Sequence, residues 1–108
     1  MTRFKDKTVL ITGGASGIGL LMAELIVQKG AANLIILDID RGALQKAEAK
    51  LKNSYCNILI WPTDLSREDE ITRCAAEIAE RKLQVDILIN NAGVVTGRDF
   101  KHHSFEEI

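Results

Sequence analysis

The chain contains four short, continuous apolar runs, which are separated by longer segments with apolar residues at helical spacing. Continuous runs rich in Val, Ile and Leu are typical of strands that are buried on both faces, as in a parallel sheet. We therefore predict four strands, at Thr8–Ile11, Leu34–Leu37, Ile58–Trp61 and Ile87–Ile89.

The segments between these runs have the periodicity of amphipathic helices. Their predicted buried faces are Ile18, Leu21, Leu25 and Ile26 in the first helix, Leu44, Ala47 and Leu51 in the second, and Ile71, Cys74, Ala75 and Ile78 in the third. Gly30 is a typical stop after the first helix, and Ser66 is a typical N-cap for the third. The order βαβαβαβ predicts an α/β fold, a Rossmann-type doubly wound parallel sheet.

The last residues, from Ser104 to Glu107, have the form of a capping box, with Ser at the N-cap and Glu three residues later. This pattern predicts a fourth helix, of which the sequence holds only the first turn. A single turn is not stable alone, because helix nucleation is costly. We expect residues 1–108 to be one Rossmann portion, the N-terminal part of a longer protein.

Composition argues against several classes of function. The 14 basic and 15 acidic side chains give a net charge of −1, and the basic ones are dispersed, so we expect no nucleic-acid partner. No apolar run is long enough for a signal peptide or a membrane span. Cys56 and Cys74 lack C-x-x-C spacing, and the adjacent His102 and His103 have no further ligand nearby, so we predict no metal site. Reduced thiols favour a cytoplasmic location.

A glycine-rich loop, TGGASGIG at residues 12–19, lies between the first predicted strand and the first predicted helix. The first N–H groups of a helix have no partner within it, and with the helix dipole they form a site for a phosphate. Glycine at positions 13, 17 and 19 would let the backbone turn sharply and let a pyrophosphate approach it closely. Glycines also mark ordinary turns, so the position between strand and helix is what favours nucleotide binding.

Asp38 ends the second predicted strand, 19 residues after Gly19. An acidic residue about 20 residues after such a loop hydrogen-bonds the adenosine ribose in dinucleotide-binding folds. A carboxylate accepts both ribose hydroxyls and repels a 2′-phosphate, and Ile39 supplies no cation, so we predict NAD rather than NADP. Arg41 is the nearby cation that argues the other way. The alternative for Asp38 is a cap on the turn after the strand.

Polar residues also follow the third and fourth predicted strands. Asp64 could accept a hydrogen bond from an exocyclic amine such as that of adenine, or it could cap the approach to the helix at Ser66. Asn90 and Asn91 could satisfy backbone groups between neighbouring strands, and the small residues after them would leave room for a ribose or nicotinamide. An ordinary turn is the alternative there.

Together, T-G-x-x-x-G-x-G at 12–19, Asp38, Asp64-Leu65 and N-N-A-G at 90–93 resemble the short-chain dehydrogenase/reductase family over essentially the whole chain. The resemblance implies a pyrophosphate on the loop, the adenosine ribose on Asp38, and adenine on Asp64 and Leu65. The residues implied at the pyrophosphate are Gly13, Ser16, Gly17, Ile18 and Gly19, and those on the nicotinamide side are Asn90, Asn91, Ala92 and Gly93. Residues 93–99 are similar to the retinol- and steroid-active branch.

The family's catalytic residues, a Tyr-x-x-x-Lys pair and an upstream Ser, have no counterpart here. The single tyrosine, Tyr55, is followed four residues later by Leu59 rather than by a lysine. The resemblance implies an NAD-dependent oxidoreductase of small-molecule alcohols or ketones, of which this chain is the cofactor-binding half and is inactive alone. The alternative is a non-catalytic nucleotide-binding module. Homo-oligomerisation of the full-length protein stays open.

Overall fold

The computed structural model describes residues 3–52 and 55–92, which alternate between strand and helix in the predicted order. The elements are β1 (Thr8–Thr12), α1 (Gly17–Gln28), β2 (Asn33–Asp38), α2 (Arg41–Leu51), β3 (Asn57–Pro62), α3 (Glu68–Glu80) and β4 (Ile87–Asn90). Each predicted apolar run lies within one observed strand. The predicted fourth helix, the two histidines and Gly93 lie outside the described residues.

The four strands form one sheet in the order β3-β2-β1-β4, and every neighbouring pair is parallel. The chain adds strands on one side of β1 up to β3 and then crosses to the other side for β4. Ligands of open α/β sheets bind outside the carboxyl ends of the strands at such a reversal of strand order. A ligand is therefore expected at the carboxyl ends of β1 and its neighbouring strands.

Two apolar cores lie on opposite faces of the sheet. One contains α1 and α2 against alternate strand residues such as Val9 and Ile36, and the other contains α3 against Leu10 and Ile35. All four of these strand residues are fully buried. The continuous apolar runs are thus explained, because successive side chains in β1 and β2 point into different cores. The predicted buried faces of α2 and α3 are confirmed.

The predicted buried face of α1 is wrong in three of its four positions. Ile18, Leu21 and Leu25 are 72%, 60% and 53% exposed, and only Ile26 is buried. The face toward the sheet instead consists of Gly19, Ala23 and Ile26, which recur at helical spacing. Small residues allow α1 to approach the sheet closely. Helix α1 ends at Gln28, and Gly30 follows with φ +86°, as predicted.

The predicted N-cap of α3 is also wrong. The residue at the N-cap is Arg67, whose side chain makes no capping hydrogen bond. The Ser66 hydroxyl instead donates to Oδ1 of Asp64 at 2.6 Å, so it is directed back toward the end of β3. Three acidic residues, Glu68, Asp69 and Glu70, occupy the first turn and complement the helix dipole in place of a capping side chain. In the part of the chain described, no helix is both long and apolar enough to cross a membrane.

Candidate functional site

A cleft of about 230 Å³ opens at the carboxyl edge of the sheet, where the sequence motifs meet. It is lined by residues at or just after the ends of all four strands, namely Gly13, Asp38, Ile39, Thr63, Asp64, Leu65, Ser66 and Ala92. The structure therefore brings together the glycine loop, both predicted acidic residues and Ala92 of the N-N-A-G motif. Ser16 and Gly17 line a separate cleft of about 400 Å³ with residues of α2 such as Lys46, and Ile18 and Gly19 follow them in α1.

The glycine loop has a backbone that side chains would obstruct. Gly13 has φ +67°, and its N–H donates to the Leu37 carbonyl at 2.7 Å, so the loop leaves β1 in contact with β2. A Cβ on Gly19 would overlap the Gly13 carbonyl oxygen and would lie 2.6 Å from Nδ2 of Asn91. Such contacts do not occur in folded proteins, so α1 can start this close to the loop only with glycine at position 19.

The start of α1 has backbone N–H groups that find no partner inside the helix. The N-cap is Ser16, whose backbone is extended and whose side chain makes no capping hydrogen bond. The Ser16 carbonyl accepts from the N–H of Leu20, so the N–H groups before Leu20 have no partner within the helix. Gly17 has φ +58°, and a Cβ there would meet no protein atom within 4 Å. A helix start with such N–H groups, and with open space at the side-chain position of Gly17, is suited to an anion.

Asp38 lies at the end of β2 with its carboxylate against the glycine loop. Oδ2 accepts from the Ala15 N–H at 3.3 Å, and Oδ1 accepts from the Asp40 N–H at 3.1 Å. Asp38 therefore caps the turn after β2 through its bond to Asp40, as the alternative prediction stated. Asp38, which is partly buried, also lines the cleft.

Asp64 is fixed by hydrogen bonds from the start of α3. Its Oδ1 accepts from the Ser66 hydroxyl at 2.6 Å and from the Ser66 N–H at 3.0 Å. These donors, the hydroxyl first, hold the pKa of Asp64 below its ordinary value, so the group is a carboxylate at neutral pH. The N–H of Asp64 in turn donates to Oε1 of Glu70 at 2.8 Å. The bond between Asp64 and Ser66, which was one of the two predicted roles of Asp64, is present. Asp64 also lines the cleft, which the other role requires.

The end of β4 is bound to the end of β1 by side chains. The Thr12 hydroxyl donates to Oδ1 of Asn90 at 3.0 Å and accepts from the N–H groups of Asn91 and Ala92 at 3.0 and 3.1 Å. Nδ2 of Asn91 donates to the Gly13 carbonyl at 3.0 Å. The prediction that these amides satisfy backbone groups between strands is confirmed for Asn91.

Sequence reasoning did not identify Thr12 or Glu70 as part of this site. The bonds of Thr12 join residues that lie 78 to 80 positions apart, and nothing in the local pattern indicates them. Glu70 lies in a run of acidic residues whose pattern predicts only a helix start. The signals available were the position of Thr12 directly before Gly13 and the position of Glu70 one residue before the buried Ile71.

Other residues considered in the sequence analysis do not line this cleft. Arg41 lines a separate cleft of about 290 Å³ with Trp61 and Arg73. Cys56 and Cys74 are buried free thiols, and burial raises the pKa of both, that of Cys74 to about 11. Across residues 3–52 and 55–92, no group of three His, Cys, Asp or Glu side chains is arranged to hold a metal ion.

Comparison with known proteins identifies relatives of the whole arrangement. A family model for short chain dehydrogenases matches residues 7–108. The chain is 40% identical over 92 residues to a sorbitol dehydrogenase from Cereibacter sphaeroides, with 85% of this chain and 34% of the relative covered. It is 37% identical over 93 residues to epidermal retinol dehydrogenase 2 from Mus musculus, with 85% and 30% covered. The crystal structure of an NAD⁺-bound xylitol dehydrogenase matches with a TM-score of 0.77 at 26% identity, over 94% of this chain and 42% of that chain.

The fold and the motifs define a dinucleotide-binding type of α/β sheet. Within that class, the chain belongs to the short-chain dehydrogenase family, because the family model covers nearly all of it. A retinol dehydrogenase is among the relatives, in line with the similarity of residues 93–99, at 37% identity against 40% for the sorbitol dehydrogenase. The chain spans about a third of the length of the curated relatives it matches.

Proposed function

We propose that this chain binds NAD across the carboxyl edge of its sheet and is the cofactor-binding portion of a longer oxidoreductase of alcohols or ketones. The observation that carries the proposal is the single cleft shared by Gly13, Asp38 and Asp64. Three motifs that are far apart in the sequence meet there, each with the chemistry of one part of the cofactor. The NAD⁺-bound state of a structurally similar xylitol dehydrogenase supports the choice of ligand.

The pyrophosphate fits the start of α1. The open space beside Gly17 leaves room for phosphate oxygens, and the N–H groups of the first helical turn supply donors and a favourable dipole. The bound loop would include Gly13, Ser16, Gly17, Ile18 and Gly19. Ile18 contributes its backbone in this proposal, since its side chain is largely exposed.

The adenosine ribose fits Asp38, and this position favours NAD over NADP. The carboxylate is held by the N–H groups of Ala15 and Asp40, so it is oriented before the ligand arrives. It would accept the ribose hydroxyls, whereas a 2′-phosphate would meet a like charge. Arg41, the nearby cation, lines the adjacent cleft with Trp61 and is not among the residues that line this one.

The base and the nicotinamide side use the remaining strand ends. Adenine would lie in the cleft between Ile39 and Leu65, with its amino group toward the carboxylate of Asp64. The segment Asn90, Asn91, Ala92 and Gly93 would border the ribose and nicotinamide, with Asn91 fixing the loop through Gly13. Gly93 lies outside the described residues, so its part rests on the sequence motif.

NAD, when bound, would supply the hydride acceptor or donor of the reaction. The residues of this chain would bind the cofactor and orient it. The proton transfer that accompanies hydride transfer in this family uses a Tyr-x-x-x-Lys pair, and the single tyrosine here does not match it. In this proposal the proton-transferring residues belong to the rest of the longer protein.

Isothermal titration calorimetry of the purified chain with NAD and with NADP tests the binding proposal. We expect NAD to bind at least tenfold more tightly, since one like-charge contact of about 1.4 kcal/mol gives that factor. Absence of binding by either cofactor, or tighter binding of NADP, would contradict it. A protein that continues this chain through its family domain should then oxidise members of a panel of alcohols with NAD. NAD binding with no turnover across the panel would favour the non-catalytic module.

A further inference from the structure

The backbone of the β3–α3 connection is held by a side chain from the helix that follows it. Oε1 of Glu70 accepts the N–H of Asp64 at 2.8 Å, across six positions of the sequence. Glu70 lies in the first turn of α3, and its side chain is only 26% exposed. A hydrogen bond to a charged, partly buried acceptor is stronger than one between neutral groups.

The Glu70 carboxylate is itself held in place by cations. Oε2 lies 3.6 Å from Nε of Arg67, and Oε1 lies 4.0 Å from Nη2 of Arg73. Arg73 belongs to α3 and Arg67 is its N-cap residue, so both cations lie on or directly before the helix that carries Glu70. Because α3 is anchored in the apolar core by Ile71, this arrangement connects the loop to a rigid element.

Asp64 is therefore restrained both at its backbone and at its side chain. Its N–H is held by Glu70, while Oδ1 of its carboxylate is held by the N–H and the hydroxyl of Ser66. A side chain whose backbone and one oxygen are both fixed can present its other oxygen in only a narrow range of directions. That oxygen belongs to a residue that lines the cleft at the carboxyl edge.

We infer that Glu70 is a positioning residue for recognition of the base: by holding the Asp64 backbone, it sets the carboxylate to accept the 6-amino group of adenine. The inference rests on the proposed NAD site and adds to it the residue that makes the site selective between purines. A 6-oxo purine, such as hypoxanthine, carries an acceptor oxygen at the same position. Two acceptors would then face each other, and no hydrogen bond could form between the base and the carboxylate.

The test compares NAD with nicotinamide hypoxanthine dinucleotide, which differs in the base alone. The unmutated chain should bind NAD about tenfold more tightly, the size expected of one hydrogen bond to a charged group. Glu70→Ala should reduce this preference to about twofold or less, because the Asp64 N–H loses its partner and the backbone there is held only through Ser66 and through the Arg67 N–H, which donates to the Asp64 carbonyl. Glu70→Gln should keep most of the preference, since its amide oxygen can still accept that N–H.

Glu68→Ala is the matched control, because it removes the same charge from the same helical turn without touching Asp64. It should leave the preference between the two dinucleotides at the value of the unmutated chain. Circular dichroism before each titration establishes that the variants are folded. A variant that is merely less stable binds both dinucleotides less well and leaves their ratio unchanged, so the ratio separates positioning from stability.

The outcomes separate the inference from the proposed function. If the unmutated chain binds neither dinucleotide, the proposed function fails. If it binds NAD and prefers it, but Glu70→Ala preserves the preference, the inference is overturned while the proposed function stands. An equal loss of preference in Glu68→Ala and Glu70→Ala would also overturn it, because charge alone would then account for the effect.

Discussion

Replacing Gly19 with alanine tests whether close contact between α1 and the glycine loop is built into the fold. The added Cβ would overlap the Gly13 carbonyl oxygen and approach Nδ2 of Asn91 to 2.6 Å. Neither neighbour can move freely, because the Asn91 amide is already bonded to that same carbonyl. Overpacking a well-packed site costs about 1–3 kcal/mol, and we take about 3 kcal/mol since one of the obstructing atoms belongs to the backbone.

Alanine has the higher helix propensity, which returns up to about 1 kcal/mol and leaves a net loss of about 2 kcal/mol for Gly19→Ala. Urea unfolding followed by circular dichroism measures this loss as a lower midpoint at unchanged slope. Gly42→Ala is the matched control in α2, where the nearest atom outside its own helix backbone, Oδ1 of Asp40, is at an ordinary 3.4 Å. There the same substitution should stabilise the chain by up to about 1 kcal/mol. A Gly19→Ala variant as stable as the unmutated chain would refute the reasoning.

Four further predictions follow from individual contacts. Asp38→Ala should weaken NAD binding and reduce discrimination against NADP in calorimetric titrations; unchanged affinity for both cofactors would contradict the role of Asp38. Thr12→Val should lower the free energy of unfolding by about 2–3 kcal/mol, because it removes one donor and the acceptor of the Asn91 and Ala92 N–H groups. Thr12→Ser keeps the hydroxyl and should keep most of the stability of the unmutated chain. An equal loss of stability in both variants would show that the effect comes from packing. The pKa of Asp64 is lowered from 3.8 by Ser66, so its contribution to stability is complete above about pH 4 and is lost as pH falls through the lower folded-state value. Ser66→Ala should flatten that acid limb of the urea-unfolding profile, and an unchanged limb would contradict the assignment. Because burial raises the pKa of Cys74 to about 11, a thiol reagent at pH 8 should not label it until the chain unfolds; rapid labelling of the folded chain would show that the thiol is accessible.

The strands could be predicted to within a residue or two because their signal is strong and local. Each is a continuous apolar run, and burial of both faces of the central strands demands that composition. The buried faces of α2 and α3 could be predicted for the same reason, since their large apolar residues recur on one side. Hydrophobic periodicity is a good guide wherever burial is achieved with large side chains.

The face of α1 could not be predicted in this way. Its contact with the sheet uses Gly19 and Ala23, which contribute little to a hydrophobic pattern but permit close approach. The larger Ile18, Leu21 and Leu25 lie on the exposed side of the helix and gave the stronger signal. Periodicity records the size of apolar residues, whereas this contact depends on the absence of side-chain atoms.

The candidate site was predictable in its parts and not in its connections. Asp38 and Asp64 could be found because each lies at or just after the end of a strand, and the carboxyl ends of parallel strands share one edge. The bonds of Thr12 to the end of β4 and of Glu70 to Asp64 depend on tertiary placement. They determine how the edge residues are held, which no spacing along the sequence specifies.

The most direct test of the proposed NAD site is a titration of the ¹⁵N-labelled chain with NAD, followed through amide resonances by NMR. If NAD binds there, saturable shifts are expected for the amides of Gly13, Gly17, Asp38 and Leu65, which line the cleft or begin α1. Amides at the opposite, amino ends of the strands, such as that of Asn57, should not move. Saturable shifts confined to residues away from the carboxyl edge, or no shifts at millimolar NAD, would contradict it.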